Sequence, residues 1–219
     1  MKKNLLIIGA GGYGRVILSQ CLREDVRGKD WEVGGFLDDR QDILDGFKLP
    51  VGIVGDPMTF VPGPSDVFVC ALGEPRMKKK YTDPLVARNA LFINLRSSNR
   101  KLGTEVSLGD NVRLKKGIIF EPRVLVAPET SIGDFVTIGS TAIIGHDVQI
   151  GAYSFINAFA FIGSGARIGE FVTIHPHSTI LPGLKIGSGA VIGAGSVAVT
   201  NVPENVTVFG NPAKKLQVR

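Results

Sequence analysis

The chain has 219 residues, 44% of them apolar, and a formal net charge of +5. That suffices for one or two domains of roughly 150 residues with packed cores, and it excludes disordered and collagen-like chains. No apolar stretch approaches the ~20 residues of a membrane span, no cleavage pattern follows Lys2-Lys3, and no long basic stripe suited to nucleic acid is present.

A cytoplasmic protein without membrane insertion or nucleic-acid binding is therefore expected. The two cysteines, Cys21 and Cys70, sit in unlike apolar settings and do not indicate a disulfide framework.

In chain order, residues 3–8 read as a short apolar strand, 12–23 as a helix, and 31–37 as a second strand ending in Asp38-Asp39. Residues 66–72 read as a third strand, 74–88 as a helix interrupted near Asp83-Pro84, and 91–95 as a fourth strand. Alternating strands and helices predict a small α/β domain over residues 1–97.

Between the first strand and helix stands Gly9-Ala10-Gly11-Gly12-Tyr13-Gly14, which satisfies G-x-G-x-x-G. Glycines there let the backbone turn tightly and approach an anion at a helix N-terminus, where free N–H groups and the helix dipole favour phosphate. Asp38 lies 24 residues past Gly14, near the place of a ribose-binding acid. Fewer than 100 residues supply one mononucleotide-sized half of a Rossmann-like fold, which favours a mononucleotide moiety over NAD.

A repeat governs residues 98–219. Stepping by six from Leu102, all 17 slots to Ala198 are apolar, and the 11 from Ile132 to Ile192 are all isoleucine. The slot four places later, from Val106 to Ser196, is Ser, Thr, Ala or Val at 14 of 16 positions, and glycine follows the large slot at ten places, including Gly133, Gly139, Gly145 and Gly151. A period of six fits neither a helix nor a heptad. It fits short strands joined by corners: the large aliphatic residue points inward, the small one fits the bend, and glycine tolerates unusual dihedrals. Three sides close one coil, so residue n lies beneath residue n+18 and the stacked isoleucines bury a continuous core. A tail occupies about residues 201–219.

The Ile-Gly-x-x-small-x hexads resemble the hexapeptide-repeat acyltransferases, which implies a left-handed parallel β-helix, a homotrimer, and acyl-CoA in a groove between neighbouring prisms. The order of Ile-Gly-Ala-Gly-Gly-Tyr-Gly (8–14), Phe-Leu-Asp-Asp (36–39), Ala-Leu-Gly-Glu (71–74) and then the prism resembles the NeuD/PglD-type family of sugar acetyltransferases. That resemblance implies an acetyl-CoA-dependent transfer of acetyl to the amino group of a nucleotide-linked amino sugar, in bacterial surface-glycan (lipopolysaccharide-type) synthesis. Sialic-acid-type O-acetylation stands as the alternative, followed by a non-catalytic trimeric nucleotide-binding scaffold. It also implies that Gly9, Gly11, Gly12, Tyr13, Gly14, Asp38, Asp39 and Gly73 hold the nucleotide sugar.

Acetyl transfer from a thioester needs a base for the acceptor's proton, and imidazole suits that role. Of the three histidines, His146 stands in Ile144-Gly145-His146-Asp147-Val148, on a corner, with Asp147 able to orient it. The resemblance makes His146 the general base and Asp147 its partner.

The 18-residue rule places Ser164 one coil above His146 and Pro182 two coils above, so backbone N–H groups at Gly163-Ser164 are oxyanion donors to test. Acetyl-CoA would then run past Pro182-Gly183 and Gly193-Ala194 toward the tail, where Pro212, Lys214 and Lys215 resemble the family's closing segment and, by that resemblance, the lysine amines meet its phosphates. The resemblance also implies that Phe155 borders the thioester and acceptor. No metal is expected, but zinc-dependent carbonic anhydrases of β-helix type share three histidines across a prism interface, and His146, His175 and His177 would have to converge for that reading. Some amino-sugar N-acetyltransferases of the family carry His where Tyr13 stands, Asn near Gly139, Glu at Gly145 and His at Phe155. These departures leave the acceptor, and N- against O-acetylation, open.

Overall fold

The computed structural model describes residues 2–23, 30–96 and 105–216. The chain divides into two compact units, Met1–Leu95 and Arg96–Arg219. The expected boundary at 97/98 and the first repeat slot, Leu102, lie outside the described residues.

The first unit is a five-stranded parallel sheet. Its strands are β1 (Lys3–Ile8), β2 (Trp31–Leu37), β3 (Ile53–Gly55), β4 (Asp66–Cys70) and β5 (Leu91–Phe92), in the order β3-β2-β1-β4-β5. Helix α1 (Gly12–Cys21) connects β1 to β2, and α2 (Pro75–Ala87) connects β4 to β5. Leu5 to Ile8 and Val67 to Cys70 are at most 1% exposed, which explains why both central strands are apolar without alternation. Cys21 and Cys70 are free thiols within this core.

Two expectations fail here. Residues 91–95 do not form one strand but break into Leu91–Phe92 and Leu95–Arg96. Helix α2 is not interrupted at Asp83-Pro84, for Pro84 lies inside it. The proline removes one backbone donor, a cost of about 3 kcal/mol. It is outweighed by a buried face of Lys78, Tyr81, Thr82 and Leu85, and by the Glu74 side chain, which caps the helix by accepting from the N–H groups of Arg76 and Met77 at 2.9 and 2.7 Å.

The second unit is a three-sided parallel β-helix of two-residue strands. Neighbours pair 18 residues apart on each side: Leu125, Ile143, Phe161 and Thr179 on one sheet, Ser131, Gln149 and Arg167 on the next, Thr137, Phe155 and Thr173 on the third. Every large slot from Phe120 to Ala198 is at most 4% exposed. In the small slot, the hydroxyls of Thr130, Ser154 and Ser178 donate to the carbonyls of Gly145, Gly169 and Gly193 at 2.8–2.9 Å, which pairs polar groups the core would otherwise penalise.

The role of glycine differs from the expectation. Gly133, Gly139, Gly145 and Gly151 are not the residues with left-handed dihedrals. Instead, a Cβ on them would meet the backbone of the next coil at 2.5–2.7 Å, so the close stacking of coils demands their bareness. The left-handed residue falls two places later, at Glu129, Phe135, Thr141, Asp147, Tyr153, Phe159, Phe171 and His177, all with φ between 57° and 63°. Steric preference yields to the need to turn a corner every six residues, at a cost of about 1 kcal/mol each.

Candidate active site

His146 and Asp147 occupy a corner held from both sides. Ile144 and Val148 are fully buried on its flanks. The Asp147 N–H donates to the Pro128 carbonyl in the coil below at 3.1 Å, and the Gly165 N–H donates to the His146 carbonyl from the coil above at 2.8 Å. Both side chains are 62% exposed, so they project from a rigid backbone into open space. The φ of 59° at Asp147 turns its carboxylate back along the chain, and Oδ2 lies 2.6 Å from His146 Nδ1. In the tautomer whose Nδ1–H donates to that carboxylate, Nε2 is the acceptor nitrogen.

Ser164 and Pro182 follow on the same corner, as the 18-residue rule expects; Gly145 packs so closely under Ser164 that a Cβ would stand 2.6 Å from the Ser164 nitrogen. The Gly163 N–H donates to the Ile180 carbonyl and is consumed by the coil ladder, as is that of Gly165. The Ser164 N–H makes none of these ladder bonds among the described residues. Beside this row, Gly165 and Gly183 succeed Asp147 with φ of 71° and 73°, so no side chain stands above the carboxylate.

Other expected residues lie elsewhere on the same prism. Phe155 is on the sheet of Thr137 and Thr173, while Gly193 and Ala194 sit on a different corner, with a Cβ at Gly193 blocked by the Phe209 ring at 2.2 Å. Pro212, Lys214 and Lys215 belong to a terminal hairpin in which Lys214–Lys215 pairs antiparallel with Thr207–Phe209. The two lysines border a cavity of about 460 Å³ with Thr200, Asn201 and Val206. His175 and His177 are exposed on the corner of Gly193, where the His177 ring stacks on Phe159 at 4.8 Å. Among the described residues, no group of three or more His, Cys, Asp or Glu is placed to hold a metal ion.

The first unit carries a separate cavity of about 370 Å³ at the carboxyl ends of β1, β2 and β4, where open α/β sheets bind ligands. It unites the expected Gly9, Asp38, Asp39 and Gly73. Gly11, Gly12, Tyr13 and Gly14 do not line it; Gly11 caps α1, and Gly14 permits α1 to press on the Gly9 carbonyl, 1.9 Å from where a Cβ would be.

Asp38 is 4% exposed and already engaged. Oδ2 accepts from the Ala10 N–H at 2.8 Å and from Arg40 Nη2 at 3.0 Å, and Oδ1 accepts from Arg40 Nε at 2.9 Å. Burial pushes its carboxyl up, but the bonds from Arg40 and Ala10 outweigh that and hold it below the usual carboxylate value.

Asp39, more open to water, accepts from the Tyr81 hydroxyl at 2.5 Å, a bond that together with burial pushes the phenol up to about 12. Sequence reasoning missed Arg40, Tyr81, Met77 and Pro57 as cavity residues. An arginine two places after a buried aspartate was a usable signal for Arg40; nothing in the sequence pointed to the others.

Residues 4–85 match the family model described as PglD N-terminal domain, and residues 129–164 and 165–197 match the bacterial transferase hexapeptide (six repeats) model. The chain belongs to the NeuD/PglD-type family. A comparison with curated proteins gave no match. Among solved structures, this NeuD/PglD-type chain is similar to the acetyltransferase domain of PglB from Neisseria gonorrhoeae FA1090 in complex with acetyl coenzyme A, at 25% identity over 99% of this chain and 100% of that one, with a TM-score of 0.86. It shares its fold with PerB from Caulobacter crescentus, solved in complex with CoA and GDP-perosamine, at 24% identity over 98% and 97% of the two chains and a TM-score of 0.83. WeeI from Acinetobacter baumannii AYE is 22% identical over 98% and 100%, with a TM-score of 0.65.

Proposed function

We propose that this NeuD/PglD-type protein, an acyltransferase, uses acetyl-CoA to acetylate the amino group of a nucleotide-linked sugar. The single observation that carries the reading is the His146 Nδ1 to Asp147 Oδ2 contact of 2.6 Å on an exposed, rigid corner. With Nδ1–H given to the carboxylate, Nε2 takes the proton from the acceptor amine as its nitrogen attacks the thioester carbon. The resulting oxyanion is stabilised by the Ser164 N–H. Collapse breaks the C–S bond, and the imidazolium returns its proton to the departing thiolate, giving the amide and free CoA. Asp147 favours the imidazolium and fixes the ring.

The cavity of Asp39, Arg40 and Tyr81 holds the nucleotide, and Lys214 and Lys215 meet the cofactor's phosphates. The chain acts as a cytoplasmic homotrimer in bacterial surface-glycan synthesis. The test is thiol release from acetyl-CoA across a panel of UDP-, dTDP- and GDP-linked amino sugars. Wild type releases thiol with at least one acceptor, and His146→Ala lowers kcat by about 10²- to 10⁴-fold. Undiminished turnover in that variant sinks the reading.

A further inference from the structure

The cavity of the first unit leaves a specific set of hydrogen-bonding valences open. Asp39 stands in the middle of its polar wall. Oδ2 accepts from the Tyr81 hydroxyl at 2.5 Å, while Oδ1 lies 3.9 Å from Arg40 Nε and accepts no hydrogen bond among the described residues. Arg40 gives Nε and Nη2 to Asp38 at 2.9 and 3.0 Å, so Nη1 is the part of the guanidinium left uncommitted among the described residues. Because the Tyr81 proton goes to Asp39, the phenol oxygen can only accept.

Along the wall the open valences therefore run donor, acceptor, acceptor: Arg40 Nη1, then Asp39 Oδ1, then Asp39 Oδ2 with the Tyr81 oxygen beside it. Two carboxylates share one guanidinium, and that excess of negative charge suits a neutral ring rich in donors better than a phosphate. Pro57, Leu72 and Met77 add apolar surface to the same cavity. A flat heterocycle can stack on such surface, thioether included, while its edge meets polar groups.

Nucleobases differ along their pairing edge. Guanine is the one common base that sets two donors, N1–H and N2–H, beside an acceptor, O6. Uracil and thymine offer one N–H between two carbonyls, so their second carbonyl would face the oxygens of Asp39 and Tyr81. Adenine and cytosine each carry a single amino donor there.

We propose that this cavity selects guanine: Asp39 accepts from N1–H and N2–H, Arg40 donates to O6, and Tyr81 is the positioning residue that holds the Asp39 carboxylate edge-on to the base. The proposal deepens the function proposed above, from a nucleotide-linked sugar to one linked to guanosine diphosphate, and rests on that reading for the presence of a nucleotide here.

The test is calorimetric titration of the full chain with free nucleoside diphosphates, which involves no acetyl transfer. GDP is expected to bind tightest. IDP, which lacks only the N2 amino group, should bind about 10- to 100-fold more weakly, the loss of one hydrogen bond to a charged acceptor, with UDP, ADP and CDP no tighter than IDP. Asp39→Asn turns the second acceptor into a donor. That chain is expected to reverse the preference and bind XDP, whose base has a carbonyl in place of the amino group, about 10-fold more tightly than GDP. A gained preference is a result that a damaged fold does not give.

Tyr81→Phe is expected to narrow the ratio of GDP to IDP affinity, and an unchanged ratio overturns its positioning role. UDP, ADP or IDP matching GDP in the wild type, no nucleotide bound, or an Asp39→Asn chain that still prefers GDP overturns the selection of guanine. If GDP is selected but His146→Ala keeps full turnover, the proposed function fails and the base assignment stands; if His146→Ala is inactive and the wild type prefers UDP, only the base assignment falls.

Discussion

His146 Nδ1 and Asp147 Oδ2, side chains of consecutive residues, lie 2.6 Å apart because the left-handed backbone at Asp147 folds its carboxylate back onto the preceding ring. Partners adjacent in sequence ordinarily diverge on an extended backbone. Here the corner brings them together.

Asp147→Asn separates the charge from the geometry, since asparagine tolerates left-handed dihedrals. The expected result is a kcat about 10- to 100-fold lower with KM for either substrate little changed, because the ring stays oriented while the imidazolium loses its counter-ion. Steady-state kinetics checks it.

Gly145→Ala places a methyl 2.6 Å from the Ser164 nitrogen, against backbone that can yield only by moving a coil. A loss of about 1–3 kcal/mol in chemical denaturation is expected. Turnover should fall as well, because the shift displaces Ser164 from His146.

Asp38 and Asp39 should part company on mutation. Asp38→Ala strands the buried Ala10 N–H and the Arg40 guanidinium, with an expected loss of about 2 kcal/mol in stability. Asp39→Ala, at a more exposed position, should leave stability within about 0.5 kcal/mol while weakening nucleotide-sugar binding about 10-fold. Calorimetric titration alongside denaturation distinguishes the two.

Lys78 is fully buried in α2, and burial pushes its amine down to about 8 from 10.5. Between those values the unfolded chain binds the extra proton, so this residue makes stability rise with pH, by about 3 kcal/mol at most. Burial also pushes Cys21 up to about 12 and Cys70 up to about 11, which acts in the opposite sense above pH 9. The contribution is therefore read as the difference between wild type and Lys78→Met, which should change over pH 8–10.5.

The prism was legible because every large slot does the same job: one physical demand, burial at an inward position, repeats every six residues. The corners were not, since Phe, Tyr, Thr, Asp, Glu and His all occupy the left-handed place and only the coil's closure dictates it. Glycine was recognised as necessary, but its reason lay in the coil above and not in its own dihedrals. In the first unit, the glycine motif and Asp38 led to the end of the sheet where the cavity lies. The sequence did not disclose that Asp38 is spent on Ala10 and Arg40, because those bonds depend on how the loop after β2 folds across the β1 turn.

The shaft is quantised in storeys. Excising residues 149–166 would remove one storey whole and leave every surviving wall aligned, whereas a cut that is not a multiple of 18 residues would rotate the upper floors out of true. The shortened chain would seat Pro182 directly over His146, and a prolyl nitrogen carries no hydrogen to offer. A well-folded but chemically mute protein should result, its fault a single missing proton in the masonry.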